Sequence, residues 1–139
     1  MGAPVLVDTG PLVAFLDRND SDHAWACTEF QGFQGPLLTC EAVLSECAHL
    51  IAPIDPSAES LIDLLRADGV RLAFDLSDDL DAVAALMVKY ADVPMSLADA
   101  CLVRMSEIHD RARVFTLDSD FRRYRRHGRQ AIPLIFPGP

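Results

Sequence analysis

Hydrophobic positions along the chain fall into short apolar runs that alternate with longer stretches of helical period. Residues 3–8 (APVLVD) are a Val-rich run closed by a carboxylate and a turn, the pattern of a buried strand. Thr9-Gly10-Pro11 makes the turn, and Pro11 suits the first position of a helix over 11–17. A second helix is predicted from Asp22 to Phe30, and a short strand over 36–39 (PLLT). A third helix runs from Glu41 to Ile51, stopped by Pro53, and a fourth over 57–67, ended by Asp68-Gly69. VRLAF (70–74) reads as a strand and DDLDAVAALMVKY (78–90) as a helix. After the break at Pro94 a helix is predicted from Leu97 to His109. The chain then closes with a strand, RVFTL (113–117), a short helix, DFRRYRR (120–126), and a last strand, IPLIF (132–136).

Strands that read as continuous apolar runs between helices predict a mostly parallel sheet covered on both faces. The fold class is therefore α/β, a three-layer α/β/α sandwich, expected to form one domain over 1–139. Ligands in such sheets bind beyond the carboxyl ends of the strands. That rule gives meaning to Asp8, which closes the first strand, and to Asp118, which closes RVFTLD. Each alone also reads as a helix N-cap.

Two further acids stand in apolar surroundings. Val43, Glu46, Cys47 and Leu50 fall on one helical face, so the period points Glu46 inward. Asp99 is the polar residue of LADACLV (97–103), a helix apolar all round. A buried lone carboxylate is costly and tends to protonate. Several acids converging on one point repel each other, and a divalent cation relieves that repulsion. Oxygen-only ligation suits hard ions such as Mg²⁺ or Mn²⁺. Blander readings remain for each: Glu46 paired with an arginine, Asp99 as a cap.

Half of the 139 residues are hydrophobic, which excludes a disordered chain. No apolar run is long enough to span a bilayer, and Asp8 interrupts the only segment resembling a signal sequence. Cys27, Cys40, Cys47 and Cys101 make no CxxC pair and read as small core residues in a reducing cytoplasm. The net charge of −9 is uneven: residues 1–110 hold 5 basic and 19 acidic side chains, residues 111–139 hold 7 and 2. The acidic bulk argues against a generic nucleic-acid binder, whereas the basic C-terminal stretch can face phosphates.

VDTGPLVAFLD, TCEAVLSE, SLADACL and FTLDSDF, in this order, resemble the PIN-domain family and its VapC-type ribonuclease toxins. The resemblance covers nearly the whole chain. It implies a metal-dependent endoribonuclease with carboxylates at Asp8, Glu46, Asp99 and Asp118, of which Asp8, Asp99 and Asp118 hold Mg²⁺ or Mn²⁺. Water activated by the metal would hydrolyse an RNA phosphodiester. Thr9 follows the first acid as a hydroxyl does in the family, and Thr116, Asp118 and Phe121 match its T-x-D-x-x-F stretch. That register selects Asp118 and leaves Asp120 as an additional ligand candidate. Thr9 and Thr116 are candidates to fix a ligand or water. The implied partners are RNA, a cognate antitoxin that blocks the acidic site, and a second copy of the chain through a helical face such as 82–90. The alternatives are a PIN nuclease acting outside a toxin–antitoxin module and a non-catalytic PIN-like module; intact acids at all four positions argue against the latter. The net charge departs from the neutral or basic balance common among the toxins.

RRYRRHGR (122–129) places Arg122, Arg125, Arg126 and Arg129 at helical spacing on one side, with Phe121 and Tyr124 facing elsewhere. Arg122, Arg125 and Arg126 are therefore candidate RNA phosphate contacts, against the plainer reading of a solvated face. Glu46-x-x-His49 lacks the second pair of a di-iron bundle, and His109-Asp110 lacks further metal histidines. His23 and Trp25 read as packing residues.

Overall fold

The computed structural model describes residues 2–138 as a three-layer α/β/α sandwich. Its strands are β1 (Val5–Val7), β2 (Leu37–Thr39), β3 (Arg71–Leu72), β4 (Arg113–Phe115), β5 (Arg125–Arg126), β6 (Gln130–Ala131) and β7 (Leu134–Ile135). Its helices are α1 (Thr9–Leu16), α2 (His23–Gly32), α3 (Glu41–Ile51), α4 (Glu59–Arg66), α5 (Leu80–Lys89) and α6 (Leu97–Ile108). Five strands form one sheet in the order β3-β2-β1-β4-β7, every pair parallel. The apolar runs expected to be strands are thus strands; helices supply the crossovers from β1 to β2, β2 to β3 and β3 to β4, while the segment from β4 to β7 crosses through a 3₁₀ turn and the β5–β6 pair.

The order of the strands fixes where a ligand can go. From β1 the chain moves outward on one side through β2 and β3, then returns to place β4 on the other side of β1. The segments that leave the carboxyl ends of β1 and β4, α1 and a 3₁₀ turn over Ser119–Arg122, start side by side and lead to opposite sides of β1. This is the topological switch point, where open α/β sheets bind ligands. The β1–β4 pairing runs from Val5 opposite Arg113 to Val7 opposite Phe115, and Asp8 N extends it by donating to Phe115 O at 3.0 Å.

Leu6, Val7, Val114 and Phe115 at the sheet centre are fully buried. Phe115 is enclosed by Trp25, Phe30 and Phe33, each ring centroid 5.2 Å away and tilted or edge-on, a geometry favoured by the aromatic quadrupole. Trp25 is thus a packing residue, as its sequence context predicts. The cysteines are free thiols; Cys40, Cys47 and Cys101 are buried and Cys27 is half-buried. Among the described residues no helix is long and apolar enough to cross a membrane.

The helix expected over 120–126 is absent. Asp118 caps a single 3₁₀ turn over Ser119–Arg122, and the chain then enters an antiparallel pair, Arg125 opposite Ala131 and Arg126 opposite Gln130. His127 and Gly128 turn this hairpin with positive φ of 50° and 82°. Helical spacing of the arginines is lost with the helix. Arg126 is a buried residue, not a surface cation: its Nη1 donates to the carbonyls of Ser106 (3.0 Å) and Asp110 (2.8 Å). Ser106 O belongs to the last turn of α6, where carbonyls lack helical partners and carry partial negative charge. Lys89 Nζ ties the other end of the hairpin by donating to Gly128 O at 2.9 Å.

Arg126→Ala therefore removes two charge-assisted hydrogen bonds and leaves carbonyls of the α6 terminus unanswered. We expect it to lower the unfolding free energy by about 3 kcal/mol, measured by urea denaturation. A change under about 0.5 kcal/mol, the range of ordinary surface substitutions, would contradict the anchoring role.

Candidate active site

Asp8 follows β1 directly and is the N-cap of α1, so a parallel strand delivers it to the switch point by construction. The predicted helix start at Pro11 lies two residues late because Asp8 already caps: its Oδ1 accepts from Thr9 N at 2.8 Å. Its Oδ2 accepts from Thr116 Oγ1 at 2.7 Å. Thr116 Oγ1 in turn accepts from Asp118 N at 2.9 Å. One buried hydroxyl just past β4 thus joins the acids at the ends of both central strands. Asp118 is itself a cap, its Oδ1 accepting from Asp120 N at 2.9 Å. For Asp8 and Asp118 the cap reading holds, and each cap stands where its strand delivers it, at the carboxyl end of the sheet.

Asp99 sits in the first turn of α6 but is not its cap. Ser96 is, accepting from Asp99 N at 3.0 Å. The Asp99 carboxylate is freed from capping and is buried. Its Oδ2 accepts from Tyr124 Oη at 2.9 Å. The helical reading of 120–126 turns Tyr124 away from the arginine face; the hairpin instead delivers it to Asp99. A tyrosine just beyond an acid-bearing strand end was the available signal.

Glu46 departs from its expected orientation. The buried face of α3 is Val43, Cys47 and Ile51, while Glu46 and Leu50 are exposed. An i, i+4, i+8 stripe meets the core, and the i+3 and i+7 positions turn to solvent at the rim of the site. Glu46 is nevertheless held there: its Oε2 accepts from Thr9 Oγ1 at 2.9 Å.

Asp8, Thr9, Gly10, Glu46, Leu50, Asp99, Leu117 and Asp118 line one open cavity of about 300 Å³. The structure brings all four acids named from the sequence to this cavity, from β1, α3, α6 and the end of β4. Asp120 is not in its lining; its Oδ1 lies 3.8 Å from Arg123 Nη1. The arginines also stand outside the lining. Arg122 stacks 4.4 Å over the Phe136 ring, and Arg125 Nη1 donates to the carbonyls of Arg122 and Tyr124. His49 is exposed on α3 outside the cavity.

The electrostatics show the cost of this gathering. Burial, above all, pushes the Asp8 carboxyl up to about 7, reinforced by the charges of Asp99 and Asp118 and opposed by the Thr116 and Thr9 hydrogen bonds. Burial likewise raises Asp99, with the Asp118 charge adding to it and the Tyr124 hydroxyl opposing it. The acids repel one another across a shared cavity and the donors around them only partly compensate.

An oxygen-only donor set of this kind fits Mg²⁺ or Mn²⁺ rather than a softer ion. Among the described residues no group of three or more His, Cys, Asp or Glu side chains stands close enough to hold a metal ion by itself. Mg²⁺ does not require such a group: it retains waters and is commonly held by one or two carboxylates together with substrate phosphate.

Two comparisons with known proteins bear on the family. The chain is 26% identical over 116 residues to ribonuclease VapC26 of Mycobacterium tuberculosis, covering 82% of this chain and 86% of that protein. A family model described as PIN domain matches residues 5–127, a span that holds all four acids and ends within the hairpin. The chain belongs to the PIN domain family.

Proposed function

We propose that the protein is a metal-dependent endoribonuclease of the toxin class. The single observation that carries this reading is the convergence of Asp8, Glu46, Asp99 and Asp118, from four separate elements, on one open cavity. The relative from Mycobacterium tuberculosis is named as a ribonuclease. A non-catalytic module has no reason to keep four acids together at this electrostatic cost.

In this reading Asp8, Asp99 and Asp118 hold Mg²⁺ or Mn²⁺, and Glu46 stands at the rim where substrate enters. The ion supplies charge neutralisation of the phosphate and a water acidic enough to act near neutral pH. The chain's own residues do the positioning. Thr116 fixes Asp8 and the Asp118 backbone in one register, and Thr9 holds Glu46 against the cap of α1. Glu46, the most exposed of the four, is free to accept a proton from attacking water. Arg122 and Arg125, beside Asp118 in the chain, face the flanking phosphates of the RNA. Arg126, whose Nη1 is engaged with the carbonyls at the end of α6, contributes stability instead.

The partner that fits the open cavity is a small antitoxin. Leu50 in the cavity lining and Ile54 beyond it are 56% and 52% exposed, an apolar shelf beside an acidic cavity. A segment presenting an apolar side chain and an arginine or lysine would cover both features. A second copy of the chain would dock through α5, where Val88 is 77% exposed. The protein acts in the cytoplasm, where RNA and antitoxin are found.

Asp8→Asn and Asp99→Asn should each abolish cleavage of total RNA in Mg²⁺ or Mn²⁺ while circular dichroism stays native; EDTA should do the same to the parent protein. Full activity in either purified mutant would overturn the assignment. A second expectation concerns stability. Because Asp8 titrates higher in the folded than in the unfolded chain, its contribution is present below about pH 4 and is lost as pH rises through about 7. Metal-free Asp8→Asn should therefore melt several degrees above the parent at pH 8, and the gap should close toward pH 4. Mg²⁺ should raise the parent's melting temperature at pH 8 and leave that of Asp8→Asn unmoved. The opposite ordering at pH 8 would contradict the burial cost.

For the substrate, Arg122→Gln with Arg125→Gln should reduce the slope of log K against log salt by about 2, roughly one per phosphate contact, in filter binding with a metal-free protein. An unchanged slope would place the RNA elsewhere.

A further inference from the structure

We propose that Tyr124 is a positioning residue for Asp99, and that the β5–β6 hairpin serves to hold it there. The inference rests on the metal-binding reading given above and assigns to that site a component outside the four acids.

Three observations carry it. Tyr124 is fully buried, yet its hydroxyl is spent on one oxygen of a buried carboxylate, 2.9 Å away. Asp99 is not required as a cap, since Ser96 performs that role, so this hydrogen bond serves the orientation of the carboxylate rather than the helix. The Tyr124 ring is fixed from two sides by edge-on contacts at 5.1 Å, with Phe121 before it and Tyr90 of the α5 terminus beside it.

The tether continues outward. Tyr90 Oη accepts from Arg125 N at 2.8 Å, one residue beyond Tyr124. Arg126 and Lys89 then fasten the hairpin to the ends of α6 and α5. Tyr124 is the last residue before β5, so hairpin position and ring position are the same variable. Occupying Asp99 Oδ2 leaves Oδ1 to face the cavity and fixes the plane of the carboxylate. A ligand oriented by such a partner binds metal more tightly than one free to rotate, and loss of the partner typically costs 10–100-fold in affinity.

Tyr124→Phe removes the hydroxyl and keeps the ring. Mn²⁺ titrated calorimetrically into the full chain should show affinity reduced about tenfold or more. The Mg²⁺ concentration for half-maximal RNA cleavage should rise in parallel, and the rate at saturating metal should recover toward that of the parent. A merely structural tyrosine would lower the melting temperature of Tyr124→Phe and leave Mn²⁺ affinity as in the parent; that result overturns the proposal. If the parent itself binds no Mn²⁺ and cleaves no RNA, the metal reading falls and this proposal with it, a distinct outcome. Should Tyr124→Phe fail to fold, Tyr90→Phe tests the same tether one link out. It frees Arg125 N while keeping the ring contact, and metal affinity should fall with the fold retained; unchanged affinity overturns the proposal.

Discussion

Mutual repulsion among carboxylates gathered at one end of a parallel sheet is the constraint on which this molecule turns. Four acids from β1, α3, α6 and the end of β4 line a single cavity, and the innermost, Asp8, is driven up to about 7 by burial and by its neighbours. Left to itself such a cluster would splay or protonate. The fold prevents splaying with backbone and hydroxyl donors: Thr9 N and Thr116 on Asp8, Thr9 Oγ1 on Glu46, Tyr124 on Asp99 and Asp120 N on Asp118. These donors hold the acids in place without neutralising them. The remaining unfavourable charge is what a bound cation would offset in the proposed reading.

The scaffold explains why this can be done at modest cost. Asp8 and Asp118 each cap the turn that follows their strand, so the residue that starts a helix also faces the cavity. The strand order places β1 and β4 side by side at the switch point, and the buried Thr116 hydroxyl bridges them. Glu46 and Asp99 come from helices that pack around the same end, one at the rim and one inside.

Much of this was legible in the residues. Apolar runs marked the strands, and an acid at the end of a run marked a position at the carboxyl edge. Asp99 declared itself by standing as the only polar residue in the apolar stretch 97–103 that opens α6. Other features were hidden by specific physics. Glu46 shares a helical period with Val43 and Cys47, but α3 meets the core along Val43, Cys47 and Ile51, leaving Glu46 outside; period alone cannot choose between adjacent stripes. The arginine-rich stretch mimics a helix, while His127-Gly128 adopts positive φ and turns it into a hairpin. With the helix went the shared basic face, because Arg126 is drawn in to satisfy the carbonyls at the end of α6. The partnership of Tyr124 and Asp99, 25 residues apart, depends on that hairpin and so could not be read from spacing.

The central claim is that one cation belongs among these acids. The most direct measurement is a crystal grown with Mn²⁺ and read by anomalous scattering at the manganese edge. The account predicts a peak in the cavity within coordinating reach of Asp8, Asp99 and Asp118, absent from crystals of Asp99→Asn. Manganese bound only elsewhere on the surface, or the same peak persisting in Asp99→Asn, would contradict it.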